Sequence, residues 1–353
     1  MTGYPIYQEG RLNNPDITWE RARKWNAGVE VRFFEDKLSF VADYFEEKRD
    51  NILWYLNTVP ETVAADLPPA NIGKVENRGF EVHGTFNDNI GGFSYWIDGA
   101  YSFARNKIIY QDERQPAHER MLRTGRPIDQ YFGLTFEGFY NTWEEINDPD
   151  RPVSEWEGGG LQPGDMKYKD LNGDGLINEE DMGPIGYSNW PEITYNFSFG
   201  ASWKGFDLSV LFQGTENVSV YYTNKAAFPF MEDWGPAQSW HLGRWTPERY
   251  ANGEEITFPR LELNPGQGHN YKISDFWVQD GSYLRLKNVE FGYRFSPALL
   301  QKIGIDSFRM YVSGNNLLTW NNFTYRVDPD AREAWGRTYP SMRVFNAGVN
   351  CQV

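Results

Sequence analysis

Cysteine is almost missing from this chain. Cys351 stands alone, so no internal disulfide can form. Histidine is scarce too: His83, His118, His241 and His269 lie far apart, without His-x-His or His-Glu-x-x-His spacing, which argues against a zinc centre. Basic residues are outnumbered, 34 Lys and Arg against 49 Asp and Glu, for a net charge of −15. With no basic excess to neutralise phosphates, nucleic acid is not expected as a partner. No run of about 18 apolar residues occurs, so no transmembrane helix is encoded. No Gly-x-Ser-x-Gly elbow or phosphate loop is present, and isolated acid pairs do not make a glycosidase, so no enzyme activity is expected. Roughly the first 30 residues also lack the apolar core of a signal peptide. Either the protein is cytoplasmic or the chain is the back part of a longer one, and the strand pattern favours the second.

Aromatic residues are abundant at 17%, with 14 Trp and 21 Tyr, a level that suits membrane-interface girdles or sugar-stacking surfaces. They fall in strictly alternating segments. Phe93, Tyr95, Ile97, Gly99, Tyr101 and Phe103 oppose Ser94, Trp96, Asp98, Ala100 and Ser102, and Tyr195, Phe197, Phe199, Ala201 and Trp203 oppose Asn196, Ser198, Gly200 and Ser202. Segments 27–33, 80–86 and 206–213 repeat the pattern. Period two means strands. In these segments charges occupy only one face, as expected when one face meets lipid and the other water, because a charge facing lipid costs about 2–4 kcal/mol near the midplane. A strand such as 193–203, at about 3.3 Å per residue and a tilt near 40°, covers about 25 Å of membrane height.

The connections alternate as well. Tight turns are expected at Glu35-Asp36-Lys37, at 87–92 and at Lys204-Gly205, and long loops at about 49–76, 105–191, 217–282 and 316–341. Short turns on one rim and long loops on the other are an outer-membrane barrel pattern. Nine wall strands follow: 24–34, 38–48, 78–87, 92–105, 192–203, 206–215, 283–295, 307–315 and 343–353, with a bulge at Asn288. Segment 131–136 also alternates, but as a wall strand it would upset the rim parity, so it is assigned to the large loop 105–191. The luminal face of this wall would carry Glu30, Arg32, Asp43, Glu81, His83, Asp98, Arg285, Lys287, Glu290, Arg294 and Arg309. Open sheet edges cannot face lipid, so nine strands call for further strands upstream.

Within the large loop, residues 170–181 read Asp170-Leu171-Asn172-Gly173-Asp174-Gly175-Leu176-Ile177-Asn178-Glu179-Glu180-Asp181. Oxygen side chains at positions 1, 3, 5, 9 and 12 with glycine at 6 have the spacing of a calcium loop. Asp170, Asn172 and Asp174 would give side-chain oxygens, Leu176 its carbonyl, Asn178 a direct or water-mediated contact, and Asp181 would close the shell. Aspartate at position 12, one methylene shorter than glutamate, predicts weak affinity, about 10⁻⁵–10⁻³ M. A polar Asn-Gly-Asp-Gly turn without metal is the plainer alternative. In the 217–282 loop, Trp234, Trp240, Trp245 and Trp277, together with Phe228, Phe230 and Tyr250, could meet a ligand or partner, or pack a local core.

These residues resemble the C-terminal part of SusC/RagA-type TonB-dependent outer-membrane transporters. The likeness runs through Pro163-Gly164-Asp165-Met166-Lys167-Tyr168-Lys169 and the Asp170–Gly175 turn, then Trp190-Pro191-Glu192-Ile193-Thr194-Tyr195, Gly205-Phe206-Asp207-Leu208-Ser209-Val210, Tyr283-Leu284-Arg285-Leu286-Lys287-Asn288-Val289 and Val312-Ser313-Gly314-Asn315-Asn316-Leu317. It implies an all-β fold: an antiparallel transmembrane β-barrel segment, here about nine strands of a larger barrel of about 22 strands with long extracellular loops. It implies an outer-membrane location and an N-terminal plug and TonB box that this sequence does not contain. The implied partners are TonB through that missing part, a SusD-like surface lipoprotein, the lipid bilayer, and an oligosaccharide or peptide ligand. The closing residues Val349-Asn350-Cys351-Gln352-Val353 depart from the family, which usually ends on an aromatic. The main rival is a secreted calcium-dependent carbohydrate-binding β-protein, which would show ordinary strand lengths and no rim asymmetry. A dockerin-like module would need two calcium repeats where this chain has one.

Overall fold

A computed structural model describes residues 12–59, 67–223, 227–231, 235–263, 268–324, 328–330 and 339–352. Nine long strands form one antiparallel sheet: β1 Arg21–Phe33, β2 Leu38–Trp54, β3 Ala70–Ile90, β4 Phe93–Tyr110, β5 Ile193–Trp203, β6 Phe206–Glu216, β7 Tyr283–Arg294, β8 Ser307–Asn321 and β9 Val344–Gln352. Each pairs with its neighbours in chain order, a pure meander, and β1 and β9 have a partner on one side only, so the sheet is an open wall.

Alternation sets the register. One row runs across all nine strands as Phe33, Leu38, Phe86, Ile97, Phe199, Val210, Val289, Gly314 and Phe345. The next row, one residue along, reads Arg32, Ser39, Thr85, Asp98, Ser198, Leu211, Asn288, Asn315 and Val344, which is mostly polar. A slip of one residue in any strand would exchange these faces. The apolar face is bare: Ile97 is 53% exposed, Phe199 40% and Phe345 75%. Among the described residues no second sheet covers it. Removing each such side chain from water is worth about 1.5–3 kcal/mol, and on this face only bilayer hydrocarbon does so. Aromatic residues bound the band. Trp25 and Tyr44 stack edge to face near the outer rim, 5.7 Å between centroids, and Phe206 and Tyr293 meet at 4.6 Å near the other.

The short rim is built by left-handed turns. Gly91 and Gly92 (φ 57° and 84°) and Lys204 and Gly205 (φ 49° and 89°) are two-residue hairpins with positive φ at both positions, the geometry that matches strand twist. The expected six-residue turn at 87–92 is thus corrected: β3 continues to Ile90. The bulge expected at Asn288 lies one residue earlier. Leu211 faces Asn288 and Phe212 faces Leu286, so Lys287 is the unpaired residue, while Asn288 Nδ2 donates to Asn315 Oδ1 at 2.9 Å.

Five strands outrun the expectation at the long-loop rim, β1 by beginning at 21 rather than 24. β2 continues from 48 to 54, β3 begins at 70 rather than 78, β4 reaches 110 and β8 reaches 321. The 21 residues of β3 cover about 50 Å of height at a tilt near 40°, about twice the apolar band. Polar and charged residues appear on both faces there: Arg23 pairs with Asp50 at 3.1 Å and Lys24 with Glu47 at 3.2 Å. Above the bilayer water solvates both faces, so alternation ends although the hydrogen-bond ladder does not.

Segment 131–136 stays out of the wall, as rim parity requires: Gln130–Gly133 pairs with Gly183–Ser188, and Phe136–Phe139 with Met166–Tyr168. The long loops after β4, β6 and β8 share one core of Leu134, Met166, Tyr168, Ile177, Val220, Phe228, Phe258, Tyr271, Trp277 and Phe323 among others. The wall itself contributes little to it, since its two faces are turned to lipid and lumen.

Two substitutions on β5 test the sidedness. In the intact protein refolded into lipid vesicles, Phe199→Arg should lower the unfolding free energy by about 2–4 kcal/mol, whereas Ser198→Arg should stay within about 0.5 kcal/mol of wild type. Equal losses from both would remove the lipid-facing assignment.

Candidate functional site

The luminal face carries a hydrogen-bonded polar lattice. On β3 and β4, Asp98 takes His83 Nε2 at 2.7 Å and the Thr85 hydroxyl at 2.9 Å. On β6, β7 and β8, Arg309 binds Asp207 through Nε at 3.1 Å and through Nη2, and reaches Glu290 at 2.7 Å. Glu30 and Arg32 pair with each other at 2.9 Å, and Asp43 lies directly opposite Glu81. Arg294 lies opposite Arg309 on the same face. Arg285 is buried, donates to Thr319 Oγ1 at 3.1 Å and forms an ion pair with Asp328 in the last long loop, which ties that loop to the wall. The structure therefore gathers the predicted luminal residues on one face, with Lys287 displaced at the bulge.

The calcium-type loop is folded and partly self-satisfied. Asp170 Oδ1 accepts Gly173 N at 2.6 Å and its Oδ2 accepts Gly175 N at 2.8 Å. Asn172 Oδ1 accepts Asp174 N at 3.1 Å, and Asp174 Oδ1 accepts Leu176 N at 2.8 Å. Leu176–Ile177 pairs in parallel with Val153–Ser154; the carbonyls of Gly175 and Ile177 serve Val153 N and Glu155 N. The intervening Leu176 carbonyl points away from that ladder. Partial burial works to raise the Asp170 carboxyl, but the backbone N–H groups of Gly175, Gly173, Asp174 and Asn172 outweigh it and hold the group below its ordinary range. Asp181 is fully buried, and its oxygens take Leu171 N at 2.8 Å and Asn178 N at 3.0 Å, while Asn178 caps Glu180 N at 2.7 Å. Asp170, Asn172, Asp174 and Leu176 thus keep lone pairs for a cation, whereas Asp181 and Asn178 act as a clasp. Among the described residues no group of three or more His, Cys, Asp or Glu gathers in metal-holding geometry, so the donor set would depend on amide and backbone oxygens.

The loop aromatics divide. Trp277 has no exposed surface: its Nε1 donates to Asn270 O at 2.9 Å, and Phe228, Phe276 and Phe258 surround it at 4.8, 4.7 and 5.4 Å. It is a core residue, which corrects its candidacy for ligand or partner contact. Trp240 packs against the same core, and Trp245 donates from Nε1 to Asn141 Oδ1 at 3.1 Å, both half-buried. Tyr250 remains exposed, and Trp234 lies outside the described residues. The reason is distance along the chain. Partners such as Phe136 and Phe258 sit in different loops, and nothing in local spacing announces that they meet.

Sequence reasoning also missed the anchor of the Pro163-Gly164-Asp165 turn. Asp165, almost wholly buried, accepts Arg260 Nε at 2.5 Å and Asn270 Nδ2 at 2.7 Å, joining loops about a hundred residues apart. The local signal was no more than an aspartate after a Pro-Gly pair. A second missed feature is that the long loop after β4 turns inward: Ile128 N donates to Asn106 Oδ1 at 2.6 Å, on the luminal side of β4.

Comparison with known proteins follows this geometry. The family described as "TonB dependent receptor-like, beta-barrel" matches residues 2–317. The chain belongs to this family. This receptor barrel is 27% identical to "TonB-dependent receptor P3" of Formosa agariphila, over 96% of this chain and 34% of that protein. It is 24% identical to "TonB-dependent receptor SusC" of Bacteroides thetaiotaomicron, over 96% of this chain and 32% of that protein. A solved structure of the RagAB peptide transporter superposes with a TM-score of 0.71 at 21% identity, covering 96% of this chain and 36% of the other. The chain thus spans about a third of the length of the curated relatives it matches. It is part of an outer-membrane transporter and receptor family, not an enzyme family.

The loop core should respond to acid through His269. Its Nε2–H donates to Met166 O at 2.7 Å while Nδ1 accepts the Ser154 hydroxyl at 2.9 Å, an arrangement that fits the neutral ring. Burial depresses its pKa, against the opposing pull of the Met166 carbonyl and of Asp165 and Glu157. The folded ring resists a proton that the unfolded chain accepts near pH 6.5, so stability is full above about pH 6.5 and falls below it. Amide hydrogen exchange around Ser154 and Met166 should quicken between about pH 6.5 and 5 beyond the intrinsic change, and His269→Gln should reduce this acceleration.

Proposed function

We propose that this chain supplies the C-terminal wall and outer loops of a TonB-dependent importer that takes up glycans or peptides together with a SusD-like surface lipoprotein. The observation that carries the reading is the union of two features: a wall with one apolar and one wet face, and long loops fused into one core on a single rim. The apolar face suits a bilayer, the wet face suits a lumen and its plug, and the loop platform offers a rigid floor for a capping lipoprotein. The likeness to SusC and the fold shared with RagAB support the same reading. TonB would act through a part of the protein that this chain does not include.

The test is affinity purification of the intact transporter from its own outer membrane, followed by uptake measured in cells with and without TonB. Co-purification of a surface lipoprotein and TonB-dependent uptake of an oligosaccharide or peptide are expected. Uptake that persists undiminished without TonB would remove the proposal.

The 170–181 loop is proposed to bind Ca²⁺ in a structural role, with Asp170, Asn172, Asp174 and the Leu176 carbonyl as donors, Asn178 direct or through water, and Asp181 chiefly as the clasp. Such an ion would join the loop to the Val153–Ser154 strand and so stiffen the platform. Calorimetry on the intact transporter should show uptake with a Kd of about 10⁻⁵–10⁻³ M, abolished by Asp170→Ala. No heat at millimolar calcium would end the idea.

A further inference from the structure

On the outward, lipid-side face of β2, β3 and β4, alternation continues past the row of Tyr44, Phe80 and Phe103. Two residues further out, the same face reads Glu46, Arg78 and Arg105, and two beyond that Lys48, Glu76 and Lys107. At about 3.3 Å per residue and a tilt near 40°, these rows stand about 5 and about 10 Å above the aromatic row. The headgroup zone of a bilayer is about 5–8 Å deep on each side of the hydrocarbon. The first row therefore lies within that zone and the second at its outer margin. Both belong to the long-loop rim, so the leaflet they meet is the outer one.

Pairing leaves cations over. Lys48 holds Glu46 at 2.5 Å, and Arg105 holds Glu192 through Nε at 2.7 Å and Nη2 at 2.6 Å. Arg78 thus loses its lateral neighbour Glu46 to Lys48 and stands directly across the ladder from Arg105. Like charges directly opposite each other destabilise a sheet. Lys74, Arg78 and Lys107 are exposed, and among the described residues none of the three has an ion-pair partner. The acid in their midst is Glu76, opposite Lys107 and two residues from both Lys74 and Arg78. Three cations surround one carboxylate, in a chain whose net charge is −15.

Strands that close a barrel join this sheet at β1 and β9, its two edges. β3 and β4 are flanked by β2 and β5, and the register fixes the side that their side chains take. Closure therefore leaves this face turned to the bilayer.

Diagonal neighbours across a ladder are about 7–8 Å apart, so Arg78, Arg105 and Lys107 can close on a single phosphate. A guanidinium grips phosphate through parallel N–H donors, and an ammonium adds a point charge. A phosphomonoester carries about −1.5 to −2 near pH 7 and offers three acceptor oxygens. That suits several cations better than the single charge of a phosphodiester. In the outer leaflet of an outer membrane, phosphomonoesters belong to the glycolipid lipid A. Directly below, Phe80 and Phe103, 5.8 Å between centroids, face its acyl chains.

We propose that Arg78, Arg105 and Lys107 form a docking site for a lipid A phosphate on the outside of the barrel, with Lys74 at its outer edge. This surface is separate from lumen and cargo and goes beyond the importer reading.

The test is native mass spectrometry of the intact protein, titrated in detergent with monophosphorylated lipid A, with the same lipid stripped of its phosphate, and with phosphatidylglycerol. The phosphorylated lipid A should bind about tenfold tighter than either of the others. Arg78→Ala combined with Lys107→Ala should weaken it about tenfold or more. Arg78→Lys combined with Lys107→Arg keeps both charges and should stay within about threefold. Asn77→Ala, next along β3 but on the luminal face, should leave binding unchanged. Unaltered β-sheet circular dichroism establishes that each variant is folded. Undiminished binding by the double alanine variant overturns the site. Equal binding of phosphatidylglycerol or of the dephosphorylated lipid overturns the choice of lipid A phosphate. A loss from Asn77→Ala as large as that from the double alanine variant overturns the outward placement. TonB-independent uptake strikes the importer reading separately and leaves this site standing.

Discussion

A bilayer offers no hydrogen bonds, so every backbone N–H and C=O at its depth must find a partner within the protein. That constraint organises the molecule. It demands unbroken strand pairing, which the meander of β1 to β9 supplies in chain order. Unbroken pairing makes one residue's offset a change of face, so alternation must hold in phase across the wall. It does in the apolar band: a row of apolar residues crosses all nine strands, and the break in phase at Lys287 is absorbed by a bulge that restores it at Val289.

With both faces of the wall assigned to solvents, lipid on one and water on the other, the described residues form no buried hydrophobic cluster within the wall. Its core stands outside, where the loops after β4, β6 and β8 meet. Aromatic packing around Trp277 and the buried Asp165–Arg260–Asn270 network hold these loops together. Arg285 and Asp328 connect this loop core to the luminal side of the wall, and the bond from Ile128 N to Asn106 Oδ1 on β4 draws the loop after β4 inward on the same side.

Strand identity, sidedness, rim asymmetry and the calcium-type spacing were all legible along the chain, because each depends on neighbours within a few residues. Ile193–Trp203 was recognised to within one residue for that reason. The upper ends of β2 and β3 were not, since above the membrane nothing enforces alternation and only the ladder continues. The fate of Trp277 was hidden in another way: core and exposed ligand-binding tryptophans look alike in a sequence, and its contacts with Phe228 and Phe258 are made by folding of its own long loop. Trp190 was visible only as part of a motif shared with the family. Its pinning by Asp129, 61 residues away, was not.

The amino-acid order by itself determined which residues turn to lipid and which to water, where the hairpins reverse, and that the wall is antiparallel, since periodicity and turn chemistry are local properties of a polypeptide. Tertiary structure alone decided how far the strands rise above the membrane, which loop aromatics are buried, and which polar groups join distant loops. Those outcomes depend on contacts between segments a hundred residues apart, and the free energy of such contacts is set by burial and geometry that no short stretch of sequence contains.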